Sequence, residues 1–427
     1  MNQPITIAIV GLGGRGMDSY GEALLAIPQR AKVVAIADPD PKKLEKMARV
    51  HGVAAENCFR TAEDLLAQDK LADAILICTQ DKQHVNHAVP ALEKGYDVLM
   101  EKPISPELEE CKRLLAVSRR TGRKVIVCHV MRYAPMNRKV KEILESGVLG
   151  RLISIQSLEN IGYWHYAHSY VRGNWRRRED TSPMILAKCC HDMDIMVWFT
   201  GKKCRTVSSF GDLSWFKSEN APEGSALRCV DCQVKADCPY DAEKVYLSNK
   251  GTGLLHGNHR WPVNILALDP TEESVRQALA NGPYGRCVYH CDNNVADHQV
   301  VNLLMEDGLT INFTASAFTP NILGRHTRFM GTKGEMTLCV ERENTIIVKP
   351  FGGEPVIYDF NTSKPHWASG HGGGDSALIN DFLDALEGKD VPGLSTLDVS
   401  MESHFMAMAA EESRLNGGKA IEMRTVR

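Results

Sequence analysis

ITIAIVGLGGRGMDSYGEALLAI, residues 5–27, passes from a β-branched apolar run through a glycine turn into a stretch with helical periodicity. The glycines stand as Gly11-x-Gly13-x-x-Gly16. That spacing alone is weak. The order strand, turn, helix gives it meaning, because backbone N–H groups then approach a pyrophosphate seated on the positive end of the helix. Gly11, Leu12, Gly13, Gly14, Arg15 and Gly16 are the first candidate dinucleotide-binding residues.

A second apolar run, KVVAIAD, ends in Asp38, 22 residues beyond Gly16. A carboxylate at that tip accepts both hydroxyls of an adenosine ribose and repels a 2′-phosphate, so the expected cofactor is NAD, with NADP second. Arg15, Lys42 and Lys43 pull the other way, since cations there neutralise a phosphate. Further strand-like runs follow at 72–79, 97–103 and 124–129, with helical patterns through 84–95 and from about 106 to 120 between them. This alternation predicts an α/β protein opening with a Rossmann domain, a doubly wound parallel sheet over residues 1–128. Thr79, His84, Glu101 and Lys102 complete the candidate cofactor set. Lys102 lies just past the carboxyl end of a predicted strand, where open α/β sheets place ligands. A cation there hydrogen-bonds a substrate hydroxyl and stabilises an alkoxide as hydride leaves carbon.

At 427 residues the chain suits two or three domains. A net charge of −3 offers no basic field for nucleic acid or an anionic membrane, and no apolar run approaches the length of a span. A small or neutral partner is expected. The opening run carries no visible secretory signal, so the expected location is the cytoplasm, where thirteen cysteines read as thiols or a metal site.

GLGGRG, ADPDPKK, CTQDKQHVNHAVPALEKGYDVLMEKP and MRYAP together resemble the Gfo/Idh/MocA oxidoreductases, whose hallmark Glu-Lys-Pro stands here as Glu101-Lys102-Pro103. The resemblance continues through TRFMGTKGEMTL (327–338) and residues 392–418, leaving an unusual insertion near 205–290. It implies a C-terminal α/β domain built on a large, open, mostly antiparallel sheet, here residues 129–427, and a catalytic role for Lys102. It also implies a homodimer or homotetramer.

From residue 151 the pattern turns to alternation, with Asp307-Gly308 as a hairpin signal, and an antiparallel sheet is expected. GYWHYAHSYVRGNWRRRED (162–180) supplies Tyr163, His165, Trp175 and Arg176 as candidate substrate residues. Its aromatic faces suit a sugar or, equally, a subunit interface. In PMILAKCCHDMDIMVWFTG (183–201), His191 and Asp194 match the family's Asp-x-Gly-x-His-x-x-Asp, but Ala187 replaces the first aspartate. His191 is the candidate general acid/base. As one helix, the stretch places Lys188 a turn from His191, where it would position a hydroxyl or hold the imidazole neutral. Asp194 either orients His191 or closes a structural hydrogen bond; Cys189 and Cys190 read as packing.

The insertion carries Cys229-x2-Cys232-x5-Cys238, followed by Cys287 and Cys291. Three of these with Cys291, or with Cys287 in its place, make a candidate structural zinc site; free thiols and an iron–sulfur cluster are the alternatives. If Cys287 and Cys291 lie on a strand, they face the same side.

The leading functional expectation is an NAD-dependent oxidoreductase passing hydride between a sugar, cyclitol or glycoside carbinol and nicotinamide. An NAD-dependent glycosidase that oxidises, eliminates, adds water and re-reduces is the alternative. A nucleotide-binding protein without turnover is the third.

Overall fold

The computed structural model describes residues 3–320, 324–340, 344–361 and 371–426. Six parallel strands, β1 (Ile5–Val10), β2 (Ala31–Ala37), β3 (Cys58–Phe59), β4 (Ala74–Ile77), β5 (Asp97–Met100) and β6 (Val125–Val127), lie in the order β3-β2-β1-β4-β5-β6. The order reverses at β1, between β2 and β4, which opens a crevice at the carboxyl ends of these strands. The strands are apolar on both faces because helices cover both: Ile7, Ile9, Ile75 and Leu76 are fully buried. Local chemistry sets the helix ends. Asp40 accepts from the Lys42 N–H at the start of Pro41–His51, and Gly52 closes that helix at φ 66°.

The second sheet has nine strands: β7 (Leu152–Asn160), β8 (Cys204–Asp212), β9 (His298–Met305), β10 (Thr310–Ser316), β11 (Gly324–Gly331), β12 (Gly334–Cys339), β13 (Thr345–Pro350), β14 (Val356–Asp359) and β15 (Ile421–Glu422). Their order is β14-β13-β12-β11-β7-β10-β9-β8-β15. Asp307-Gly308 makes the β9–β10 turn, with Gly308 at φ 87°. The expected antiparallel pattern needs one correction: β7 pairs parallel with β10. The chain between them is long enough to return to β10 in the same direction. One face, with Ile155, Val301 and Leu303, is buried, and helix Leu397–Leu415 packs against β8. On the opposite face Gln156, Asn302 and Phe210 are exposed.

Helix Gly374–Leu386 returns to the first sheet, where Leu378, Ile379 and Phe382 share an apolar cluster with Ile7, Ile9 and Leu12. The insertion is mostly short turns around helix Glu272–Asn281, with a small core of Tyr246, Val263 and Leu279 that also takes in Trp164 from outside it. No helix among the described residues is long and apolar enough to cross a membrane.

Candidate functional site

The glycine turn fits a dinucleotide. Gly11 has φ 87°, and a Cβ on it would stand 2.5 Å from the Cys78 carbonyl oxygen; one on Gly16 would overlap the Gly11 carbonyl oxygen. Nothing lies within 4 Å of a Cβ on Gly13, so ground is open there for a ligand. Asp38, at the tip of β2, accepts from Leu12 N–H at 2.7 Å and Asp40 N–H at 2.9 Å. Those bonds fix the carboxylate beside the turn and leave lone pairs for ribose hydroxyls.

Arg15 does not stand ready for a 2′-phosphate. Its guanidinium donates to Glu101 at 2.7 Å, to both oxygens of Asp375 at 2.8 and 3.0 Å, and to Tyr20 and Ser19 hydroxyls. Burial works to raise the Glu101 and Asp375 carboxyls, but Arg15 outweighs it and holds both below their ordinary values. Glu101 also accepts from the Tyr20 hydroxyl at 2.7 Å and from the Lys102 N–H at 3.1 Å. His84 is likewise occupied: its ring nitrogens face the Pro103 carbonyl at 2.7 Å and the Thr79 carbonyl at 3.0 Å, joining the ends of β4 and β5. The Thr79 hydroxyl lies 3.1 Å from His87 Nδ1.

Lys102 reaches across to the second domain, where Nζ donates to the Ala187 carbonyl at 2.8 Å. That carbonyl is available because the stretch 183–201 is not one helix. It breaks into Met184–Ala187 and Cys190–Thr200, with Lys188 and Cys189 between them. The Lys188 ammonium is engaged by a strand carboxylate, where a turn-to-turn role toward His191 was expected. Lys188 Nζ instead pairs with Glu159 on β7 at 3.1 Å, and Glu159 also meets Arg325 at 3.1 Å, which in turn holds Asp192 at 2.7 Å.

His191 is buried, with its ring 5.9 Å from His129 and 5.8 Å from His371. Its Nδ1 is buried without a partner among the described residues. Burial, then the charge of Lys102, pushes its pKa well below the ordinary histidine value, so the imidazole is neutral at neutral pH. His371 is one-third exposed, has φ 56°, and hydrogen-bonds Asp375 through Nδ1 at 3.1 Å. A left-handed histidine costs ~1–2 kcal/mol, a strain that concentrates at functional positions. The expectations from sequence missed His371, Asp375 and His129. The run HGGGD at 371–375, a histidine and a carboxylate around three glycines, was the available signal for the first two.

Other candidates serve structure. Asp194 forms a buried pair with Arg132, Oδ2 to Nε at 2.5 Å and Oδ1 to Nη2 at 2.6 Å. Arg176 pairs with Asp292 at 2.8 Å on the flank. Trp175 Nε1 donates to Asp81 at 3.1 Å, and Ser182 donates to its other oxygen, which ties the second domain to the loop after β4. Tyr163 and His165 are half-buried in an aromatic group, where Trp261 of the insertion lies 5.0 Å from the His165 ring. Burial, then Lys188, lowers the His165 pKa well below its ordinary value.

The cysteines do not assemble as the zinc expectation required. Among the described residues no three His, Cys, Asp or Glu side chains are arranged to hold a metal ion, and all thirteen cysteines are free thiols. Buried Arg172 donates to Cys229 Sγ at 3.4 Å, so a cation already faces that thiol. Cys287 and Cys291 lie in a turn, not a strand, with Cys291 Sγ donating to the Cys287 carbonyl at 3.3 Å. Cys232 and Cys238 flank the turn at 233–237.

The structure thus has a glycine turn open at Gly13 at a sheet switch point, and a lysine at the end of β5 that reaches the second domain by a group of buried histidines. Two family descriptions match the chain: an oxidoreductase NAD-binding Rossmann fold over residues 5–129 and an oxidoreductase C-terminal alpha/beta domain over 141–422. The chain belongs to the Gfo/Idh/MocA family of oxidoreductases. It is 24% identical over 395 residues to YteT of Bacillus subtilis (strain 168), which carries the name of an oxidoreductase, covering 88% of each chain. It is 26% identical over 208 residues to an inositol 2-dehydrogenase of Corynebacterium glutamicum (strain R), covering 48% of this chain and 57% of that one. Among solved structures it is similar to an oxidoreductase from Agrobacterium radiobacter in complex with NAD+, L-tartaric acid and magnesium, at TM-score 0.70 and 17% identity, with 99% of both chains covered. It also shares the fold of apo scyllo-inositol dehydrogenase from Lactobacillus casei, at TM-score 0.65 and 20% identity, covering 99% of this chain and all of that one.

Proposed function

We propose that this chain is an NAD-dependent oxidoreductase that moves hydride between a CH–OH carbon of a cyclitol or sugar and nicotinamide. The observation that carries the reading is Lys102: from the end of β5 it crosses to the Ala187 carbonyl, close enough for its charge to act on the neutral, partly unpartnered His191. A bound dinucleotide supplies the hydride acceptor or donor; Gly13, the glycine-turn backbone and Asp38 would hold it. Lys102 then steadies the oxygen as its charge grows. Neutral His191 takes the hydroxyl proton, and His371, fixed by Asp375, stands beside it at the solvent side to pass that proton on. Tyr163 and His165 form an aromatic wall for the substrate ring.

The substrate class rests on the chemistry of this pocket together with the inositol dehydrogenases among the relatives. NAD is favoured over NADP because Asp38 occupies the ribose end and Arg15 is committed elsewhere. The free thiols favour a reducing compartment, the cytoplasm, and the open face of the nine-stranded sheet offers the surface for a homodimer or homotetramer.

The test is incubation of the protein with NAD or NADP and a panel of cyclitols, aldoses and aryl glycosides, following reduced cofactor and aglycone together. The reading expects reduced cofactor to accumulate with a cyclitol or sugar, more readily with NAD. Aglycone release without reduced cofactor contradicts it in favour of a hydrolytic cycle.

A further inference from the structure

The insertion reaches back to the nucleotide-binding domain. Within 258–269, Asn264 Nδ2 donates to Asp18 Oδ2 at 2.7 Å and Arg260 pairs with Glu22 at 3.1 Å, both on the helical run that follows the glycine turn. Asp269 pairs with Lys46 at 2.8 Å on the next helix, Pro41–His51. Ile265 Cδ1 stands 4.0 Å from the place a Gly14 Cβ would occupy, against the first residue of that helical run. Leu268 packs on the apolar cluster of the first sheet. The same segment also grips the second domain: the Trp261 ring lies 5.1 Å from Trp164, 5.0 Å from His165 and 5.4 Å from His168.

One short segment is thus anchored by an aromatic ring on the substrate side and by three polar ties and two aliphatic side chains on the cofactor side. Two of the three polar ties are individually weak, since Lys46 and Asp269 are 30% and 78% exposed and Arg260 and Glu22 are 72% and 51% exposed, while the Asn264–Asp18 bond is part-buried. Weak ties in parallel suit a part that holds and lets go. A permanent join would be buried.

We propose that segment 258–269 is a cofactor strap, which fastens the second domain onto the glycine-turn helix so that bound nicotinamide dinucleotide leaves only when the segment lifts. The proposal rests on the reading of the glycine turn as a dinucleotide cradle. Asn264, Arg260 and Asp269 are positioning residues: they act on the dinucleotide through Asp18, Glu22 and Lys46, the residues of the two helices that frame the turn. The linkage runs both ways, because a ligand seated against Trp261 holds the same segment in place.

The experiment measures the rate at which NADH leaves the full-length protein when chased with excess NAD+, read by NADH fluorescence and without any substrate. Lys46→Glu, Asp269→Lys and the pair Asn264→Ala with Arg260→Ala are each expected to speed release by about 3- to 10-fold, the size of one or two lost exposed ties. The double exchange Lys46→Glu with Asp269→Lys restores the charge pair and is expected to return release to within about 2-fold of the original rate. A folding defect cannot produce that restoration. Release that is unchanged in all variants, or as fast in the double exchange as in the single ones, overturns the strap. Failure of the unaltered protein to bind NADH overturns the dinucleotide reading with it, whereas tight binding with release indifferent to these residues overturns the strap alone.

Discussion

Replacing Asp194 by alanine leaves the Arg132 guanidinium buried without its carboxylate, since the two side chains are 1% and 2% exposed. The expected cost is ~3–5 kcal/mol, seen as a large drop in thermal midpoint. Arg176→Ala removes a flank pair with Asp292 and is expected to cost no more than ~1 kcal/mol. Equal effects of the two would contradict the structural assignment of Asp194. In the sequence both stood as site candidates, Asp194 through the family's helix motif and Arg176 through the aromatic stretch, because nothing local shows which charge a distant strand or turn will meet. The same limit hid His371. It lies 180 residues beyond His191 in sequence yet 5.8 Å from it ring to ring. If His371 passes on the hydroxyl proton, His371→Ala lowers kcat by ~10²-fold while NADH affinity holds, and added imidazole restores part of the rate. Unchanged kcat would remove His371 from the reaction.

At the scale of elements, the glycine turn separates packing from binding. Gly16→Ala is expected to destabilise the fold, because its Cβ would overlap the Gly11 carbonyl oxygen. Gly13→Ala meets no protein atom within 4 Å, and its φ of −79° and ψ of −169° suit any residue. It is expected to leave stability unchanged or raise it by ~0.4–1 kcal/mol, yet to weaken NADH binding at least ~10-fold by occupying the cradle. Thermal melts with and without NADH check both, and unimpaired NADH binding by Gly13→Ala would place the dinucleotide elsewhere. Strand, turn and helix were legible here because each is a local pattern, and the β9–β10 hairpin was legible for the same reason. The 183–201 stretch was not. Its apolar run reads as one helix, but the Lys102 bond to the Ala187 carbonyl and the pull of Glu159 on Lys188 sit at its break. The Lys188 partner is set by tertiary contact, so helical spacing could not supply it.

Across the whole molecule, neutral buried histidines set the response to acid. His129, His168, His191 and His404 are all pushed below their ordinary value, first by burial, His168 and His404 to about 3. Below the ordinary histidine value of ~6.5 the unfolded chain takes up protons that these rings refuse in the fold, so unfolding free energy falls as pH falls. Each ring contributes ~1.4 kcal/mol per pH unit between ~6.5 and its own depressed value. Thermal midpoints are therefore expected to hold near neutral pH and to drop steeply from pH ~6 toward ~4; a flat profile there would contradict the burial of this group. The two-domain plan was legible from the change of periodicity near residue 151 and from the family resemblance. The parallel β7–β10 pairing and the return of helix Gly374–Leu386 onto the first sheet were not, since both join segments far apart in the chain. The cysteine spacing misled for a related reason. It gives sequence distance alone, and the fold sets Arg172 against Cys229.

The central claim is that the glycine turn and Lys102 form one hydride-transfer site. Its most direct test is the rate of NAD reduction by the best cyclitol or sugar of the panel in the unaltered protein and in Lys102→Ala, with NADH affinity measured on both. The account predicts a fall in kcat of at least ~10²-fold with NADH affinity unchanged within about 2-fold. Turnover that survives the loss of Lys102 would contradict it.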